Sequence, residues 1–103
     1  MKEQVIVEVS IVPLGTGSPS VSEYVAACIE VLQKAEAVKY TLTPMGTIIQ
    51  GPLLKVMELI QQMHEVPFDM GALRVSTFIK IDDRRDKLQN MEDKVQSVKR
   101  RTG

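Results

Sequence analysis

The chain has 103 residues, which allows one domain that buries roughly 65% of its unfolded surface in a single two-layer core. Thirteen Lys plus Arg balance thirteen Asp plus Glu. The resulting zero net charge provides no field to draw in nucleic acid or an anionic membrane, so neither is an expected partner. The single cysteine, Cys28, rules out an internal disulfide.

Residues 4–12 open the pattern as a strand, with Val5, Val7, Val9 and Ile11 on one face and a mixed set, Gln4, Ile6, Glu8, Ser10 and Val12, on the other. After Pro13, residues 14–19 are turn chemistry, and Ser20 followed by Glu23 predicts a capping box that opens a helix. Val21, Tyr24, Val25, Cys28, Ile29 and Leu32 recur at spacings of three and four, an apolar stripe in which Cys28 is a small hydrophobe, with the helix ending near Ala35 or Glu36. Residues 38–43 and 47–50 read as a β-hairpin turning at Pro44-Met45-Gly46. Gly51-Pro52 begins a second helix with the stripe Leu53, Val56, Met57, Ile60 and Met63/His64, expected to stop before Pro67.

Residues 72–81 alternate again, Leu73, Val75, Thr77, Ile79 and Ile81 against Arg74, Ser76, Phe78 and Lys80. Beyond them Leu88, Met91, Val95 and Val98 keep an apolar seam through a charge-dense segment. That seam predicts a C-terminal amphipathic helix over 83–101, docked on its own domain or on a neighbouring subunit. Lys99, Arg100 and Arg101 are expected to be a solvated tail. The N-terminus has neither the apolar block of a signal peptide nor a membrane-spanning run, so the expected compartment is the cytoplasm.

The order βαββαβ followed by a helix predicts one α+β domain, a ferredoxin-like sandwich with antiparallel strand order 4-1-3-2 and both crossover helices on one face. This topology gathers the Gly15-Thr16-Gly17-Ser18 loop, the start of the first helix, the hairpin from Thr43 to Thr47, His64 and Arg74 at one edge. Such edges bind small ligands. The Gly-Thr-Gly-Ser stretch lacks the spacing and lysine of a phosphate loop and is better read as a turn. His64 has no companions at metal-ligand spacing. Ser18, Ser20 and Ser22 suit turns and caps better than a catalytic triad. No catalytic constellation emerges, so the expectation is a binding protein without a cofactor. The open sheet face carries Ile6, Glu8, Ser10, Val12, Thr41, Thr43, Ile48, Gln50, Ser76 and Phe78. Such a patch predicts either an oligomer contact or a ligand pocket within an oligomer.

The segments Val9-Ser10-Ile11-Val12-Pro13-Leu14-Gly15-Thr16-Gly17, Ser20-Val21-Ser22-Glu23-Tyr24-Val25, Tyr40-Thr41-Leu42-Thr43-Pro44-Met45-Gly46-Thr47 and Arg74-Val75-Ser76-Thr77-Phe78-Ile79-Lys80-Ile81-Asp82, with Arg84, Arg85 and Asp86, resemble the small thiamine-binding protein family. The resemblance implies a ferredoxin-like fold assembled as a homotetramer of dimers. It also implies binding of thiamine or its hydroxymethylpyrimidine moiety without catalysis. Where that family often has a Glu this chain has Gln50, one carboxylate fewer. An aminopyrimidine needs a flat apolar or aromatic platform with hydroxyl, carboxylate or backbone partners. The residues expected to supply them are Glu8, Ser10, Gly15, Thr16, Ser18, Thr43, Met45, Gly46, Thr47 and Phe78. The alternative is a structural or regulatory oligomer whose open face serves only assembly.

Overall fold

A computed structural model describes residues 4–17, 21–86 and 90–102. Its elements are β1 (Val5–Leu14), α1 (Ser22–Gln33), β2 (Lys39–Thr43), β3 (Gly46–Gly51), α2 (Leu53–Asp69), β4 (Arg74–Asp83) and α3 (Met91–Thr102). The sheet order is β2-β3-β1-β4, the expected 4-1-3-2 order read from its other edge. β1 is central and antiparallel to both neighbours, from Val5↔Gly51 to Val9↔Thr47 with β3 and from Val5↔Asp83 to Leu14↔Arg74 with β4.

The period-two pattern of β1 decides where the core lies. Val5, Val7 and Val9 are buried with Ile49 of β3 against Cys28, Ile29 and Leu32 of α1 and Val56, Leu59, Ile60 and Met63 of α2. Each such side chain contributes about 1.5–3 kcal/mol by leaving water. The opposite face of β1 carries Ile6, Glu8, Ser10 and Val12, none of them buried.

Several boundaries differ from the sequence reading for identifiable reasons. α1 begins at Ser22 with Val21 as its N-cap and no capping side chain; Ser20 lies outside the described residues. The helix ends at Gln33, short of Ala35. α2 does not stop before Pro67 but continues through it to Asp69. A proline there removes only the hydrogen bond that its N–H would have given to the carbonyl of Met63. That carbonyl accepts the Cys28 thiol instead, at 3.4 Å. β4 runs on to Asp83, so the third helix starts at Met91 rather than near 83. Its start is set by Asn90, whose side-chain oxygen accepts the Asp93 N–H at 2.8 Å while the Asp93 carboxylate accepts the Asn90 N–H at 3.4 Å. This reciprocal cap stands in place of the expected earlier start; Leu88 lies outside the described residues. Leu73 precedes β4 and is 95% exposed, not a core-facing strand residue.

α3 docks on its own domain, across the open sheet face. Lys39 Nζ meets the Glu92 carboxylate at 2.9 and 3.1 Å, Lys94 pairs with Asp82, and the Met91 N–H donates to Gln50 Oε1 at 3.1 Å. No described α3 residue is buried. Exposed ion pairs contribute only about 0–1 kcal/mol each, so α3 is the most weakly held element.

Cys28 is buried, and burial pushes its thiol up from 9.0 to about 11. A thiol raised in this way favours the folded state fully below pH 9. The contribution, roughly 2 kcal/mol at most, is lost as pH climbs through the folded value. We expect native labelling by a thiol reagent to be slow at pH 8. Chemical denaturation from pH 8.5 to 11 should show a loss of stability that a Cys28→Ala variant lacks. Rapid stoichiometric labelling of the native protein would contradict the burial.

Candidate functional site

The site grows out of a mismatch in strand length. β3 leaves the ladder at Val9↔Thr47, but β1 continues to Leu14 paired with β4 alone. Beside Ser10, Ile11 and Val12 the sheet therefore lacks a strand on the β3 side. A cavity of about 280 Å³ occupies that gap, walled by the β2–β3 hairpin, by Val21, Val25, Cys28 and Ile29 at α1, and by Met63 of α2. That is near the lower bound, roughly 300 Å³, of pockets that hold small molecules.

Glycine at position 46 lets the hairpin come this close. A Cβ there would stand 2.7 Å from the carbonyl oxygen of Val9, so any other residue would push the turn away from β1. Within the turn the Thr43 hydroxyl donates to the Gly46 carbonyl at 2.9 Å and accepts the N–H groups of Met45 and Gly46 at 3.2 and 3.1 Å. It is engaged in the turn and does not present a free donor.

Thr47 is different. Its side chain lines the cavity at 5% exposure and makes no hydrogen bond with any described residue. No buried side-chain polar atom lacks a partner among the described residues, so the Thr47 oxygen opens onto the cavity, where a ligand or water can bond it. Ser10 borders the same cavity along the strand edge, but its side chain belongs to the open face, across from Phe78. No charged side chain lines the pocket. Apolar walls with one uncommitted hydroxyl suit a flat neutral ring bearing a few hydrogen-bonding groups.

Of the expected site residues, Ser10, Thr43, Met45, Gly46 and Thr47 come together here. The others do not. Gly15 takes a left-handed φ of 71° in the loop after β1, and neither it nor Thr16 lines this cavity. Ser18 lies outside the described residues. Phe78 stands across from Ser10 on β4 but points to the open face, 65% exposed. Glu8 lines a separate cavity of about 440 Å³ between the open face and α3, with Ile6, Ile48, Lys80, Asp82, Glu92 and Val95. Glu8 has no ion-pair partner among the described residues. The Glu92 carboxyl in that cavity is held below its ordinary value, chiefly by the Lys39 hydrogen bond. His64 also stands apart, its Nδ1 2.7 Å from Thr77 Oγ1 of β4, in the groove beside α2. Sequence reasoning missed the α1 wall, because Val21, Val25 and Cys28 carry an ordinary core stripe. The signal available was the difference in length between the first and third predicted strands.

Among the described residues no cluster of His, Cys, Asp and Glu could hold a metal ion, and no helix is long and apolar enough to cross a membrane. The chain is similar to the UPF0045 protein YqgV of Bacillus subtilis, 49% identical over 96 residues that span 90% of this chain and 92% of that one. Among solved structures it is similar to the hypothetical protein MJ1052 of Methanocaldococcus jannaschii, at TM-score 0.86 and 36% identity over 94% and 97% of the two chains. The fold is shared with a Thermotoga maritima protein provisionally described as a thiamine biosynthesis/salvage protein, at TM-score 0.74 and 21% identity over 92% and 98%. A family model described as thiamine-binding protein matches residues 7–99, and the chain belongs to that family.

Proposed function

We propose that this protein binds the aminopyrimidine of thiamine, or free hydroxymethylpyrimidine, in the hairpin cavity without transforming it. The proposal places this activity in a cytoplasmic homo-oligomer. The observation that carries the reading is Thr47, 5% exposed, whose hydroxyl has no protein partner among the described residues and opens onto an uncharged, mostly apolar pocket. The absence of charge favours the neutral pyrimidine over the thiazolium cation, which an apolar wall would desolvate without compensation. Family membership supports a thiamine-type ligand. A binding role without chemistry is supported by the pocket's own groups. Its one thiol is held protonated by burial, and no base lines the cavity to activate Ser10 or Thr47.

Calorimetry with thiamine and with hydroxymethylpyrimidine tests the reading. Both should bind, and Thr47→Val should weaken each by about 1–2 kcal/mol, five- to thirtyfold in Kd, while leaving the fold intact. Phe78→Ala should change Kd less than about twofold, because a side chain that makes no contact contributes little. If the parent protein binds neither compound, or Thr47→Val binds as the parent does, the site is misplaced and a purely structural oligomer becomes the better account. Light scattering should give a mass above the 11.5 kDa of one chain; a monomer at micromolar concentration would remove the oligomer from the proposal.

A further inference from the structure

Residues opposed in register share a face of the sheet, so the open face is laid out in rows that cross the strands. One row reads Lys39, Gln50, Ile6 and Asp82 from β2 to β4, and the next reads Thr41, Ile48, Glu8 and Lys80. α3 lies along the first row, where Glu92 holds Lys39, the Met91 N–H donates to Gln50 and Lys94 holds Asp82. It makes no hydrogen bond or ion pair with the second row. There the cavity of about 440 Å³ opens, with Thr41, Ile48, Glu8 and Lys80 in its floor and Met91 and Val95 of α3 beside it. That volume lies within the range of pockets that hold small molecules.

The charged groups around this cavity fall into two sets. Asp82, Glu92 and Lys94 are committed to the ion pairs that dock α3. Glu8 and Lys80 stand opposite one another, yet they form no ion pair with each other or with any other described residue. Their Cβ atoms are about 5 Å apart, as for any cross-strand pair. An uncommitted carboxylate and an uncommitted ammonium side by side, next to an apolar floor, complement a molecule that carries both charges close together on an apolar body. We propose that the cavity binds a free α-amino acid with an apolar side chain. Its carboxylate meets Lys80, its ammonium meets Glu8, and its side chain covers Ile48 and Ile6 beneath Val95. The order of groups along the row, cation, anion and then apolar surface, matches the order of groups in such a molecule. A phosphate or a dicarboxylate fits worse, because it would face Glu8, Asp82 and Glu92 with Lys80 as the one uncommitted cation of the lining. A simple amine would leave Lys80 without a partner. The site lies on the opposite face of the sheet from Thr47, and it does not rest on pyrimidine binding in the hairpin cavity.

Calorimetry with L-phenylalanine and three analogues tests the assignment. Phenethylamine lacks the carboxylate, 3-phenylpropionate lacks the ammonium and glycine lacks the apolar side chain. Each should bind at least about tenfold more weakly than L-phenylalanine. Glu8→Gln and Lys80→Met change exposed side chains and leave the core intact. Either should weaken L-phenylalanine about tenfold or more, while Glu8→Gln should alter 3-phenylpropionate binding, and Lys80→Met phenethylamine binding, by less than about twofold. Because the bound side chain would lie against Met91 and Val95, L-phenylalanine should also slow amide exchange in α3. The assignment is overturned if L-phenylalanine fails to bind at millimolar concentration, if the analogues bind as it does, if either variant binds it as the parent does, or if hydroxymethylpyrimidine displaces it. Thr47→Val should leave L-phenylalanine binding within about twofold of the parent. A larger loss would put the amino acid in the hairpin cavity and overturn the assignment, so the two sites fail separately.

Discussion

The double-sided pairing of β1 is the constraint on which the rest of the structure depends. A strand bonded on both edges has only its two faces left, and the alternation of Val5, Val7 and Val9 commits one of them to the helices. A slip of one residue against either neighbour would turn all three valines to the open face and bring Ile6, Glu8 and Ser10 into the core. Burying Glu8 there without a counter-ion would cost far more than the valines return. The register of β1 therefore determines that of β3 and β4. Through β3 it determines where the hairpin turn can lie.

The pocket follows from that register and from the unequal strand lengths. β1 outlasts β3 by the stretch from Ser10 to Leu14, and a chain that simply filled the gap would bury it with a larger side chain from α1. Instead the wall is built from Val21, Val25 and Cys28, which are small. The hairpin is held near Val9 by the missing Cβ of Gly46. A closed turn, short wall residues and an uncommitted hydroxyl are together an inefficient way to make a core. Local inconsistency of this kind is where function is expected in an otherwise well-packed domain.

The fold was legible because its long elements carry strong periods. β1, α1 and α2 each show the alternation or stripe that burial later bears out, β4 forms as a strand although none of its residues is buried, and the hairpin announces itself at Pro44-Met45-Gly46. The ends were less legible because they depend on contacts that sequence spacing does not express. Pro67 looks like a stop, yet its helix continues because the carbonyl it frees finds Cys28, 35 residues away in sequence. Asp82 and Asp83 look like the start of a charged helix, yet they stay in β4 because β1 offers them partners at Ile6 and Val5. Of the site, the hairpin half was legible from turn chemistry and from the resemblance. The assignment of Glu8 and Phe78 to the same pocket failed because the open face and the helix face are separated by the sheet itself. Thr47 faces the helices, while Ser10, Glu8 and Phe78 lie on the open face.

The two edges of the sheet are treated differently, and this bears on how a ligand site and an assembly surface coexist in so small a domain. β2, at one edge, is five residues long, carries Lys39 and ends at Pro44, the devices that discourage further pairing. β4, at the other, is twice that length and has no proline, with Lys80 its one lysine. The hairpin cavity sits on the discouraged side, between β3 and β1. Two elements connect the cavity to the β4 side of the sheet: β1, bonded to β4 along its whole length, and α2, which places Met63 on the cavity and His64 against Thr77 of β4. Because β1 is bonded on both edges and α2 packs in the core, neither has much freedom to transmit a displacement from one side to the other.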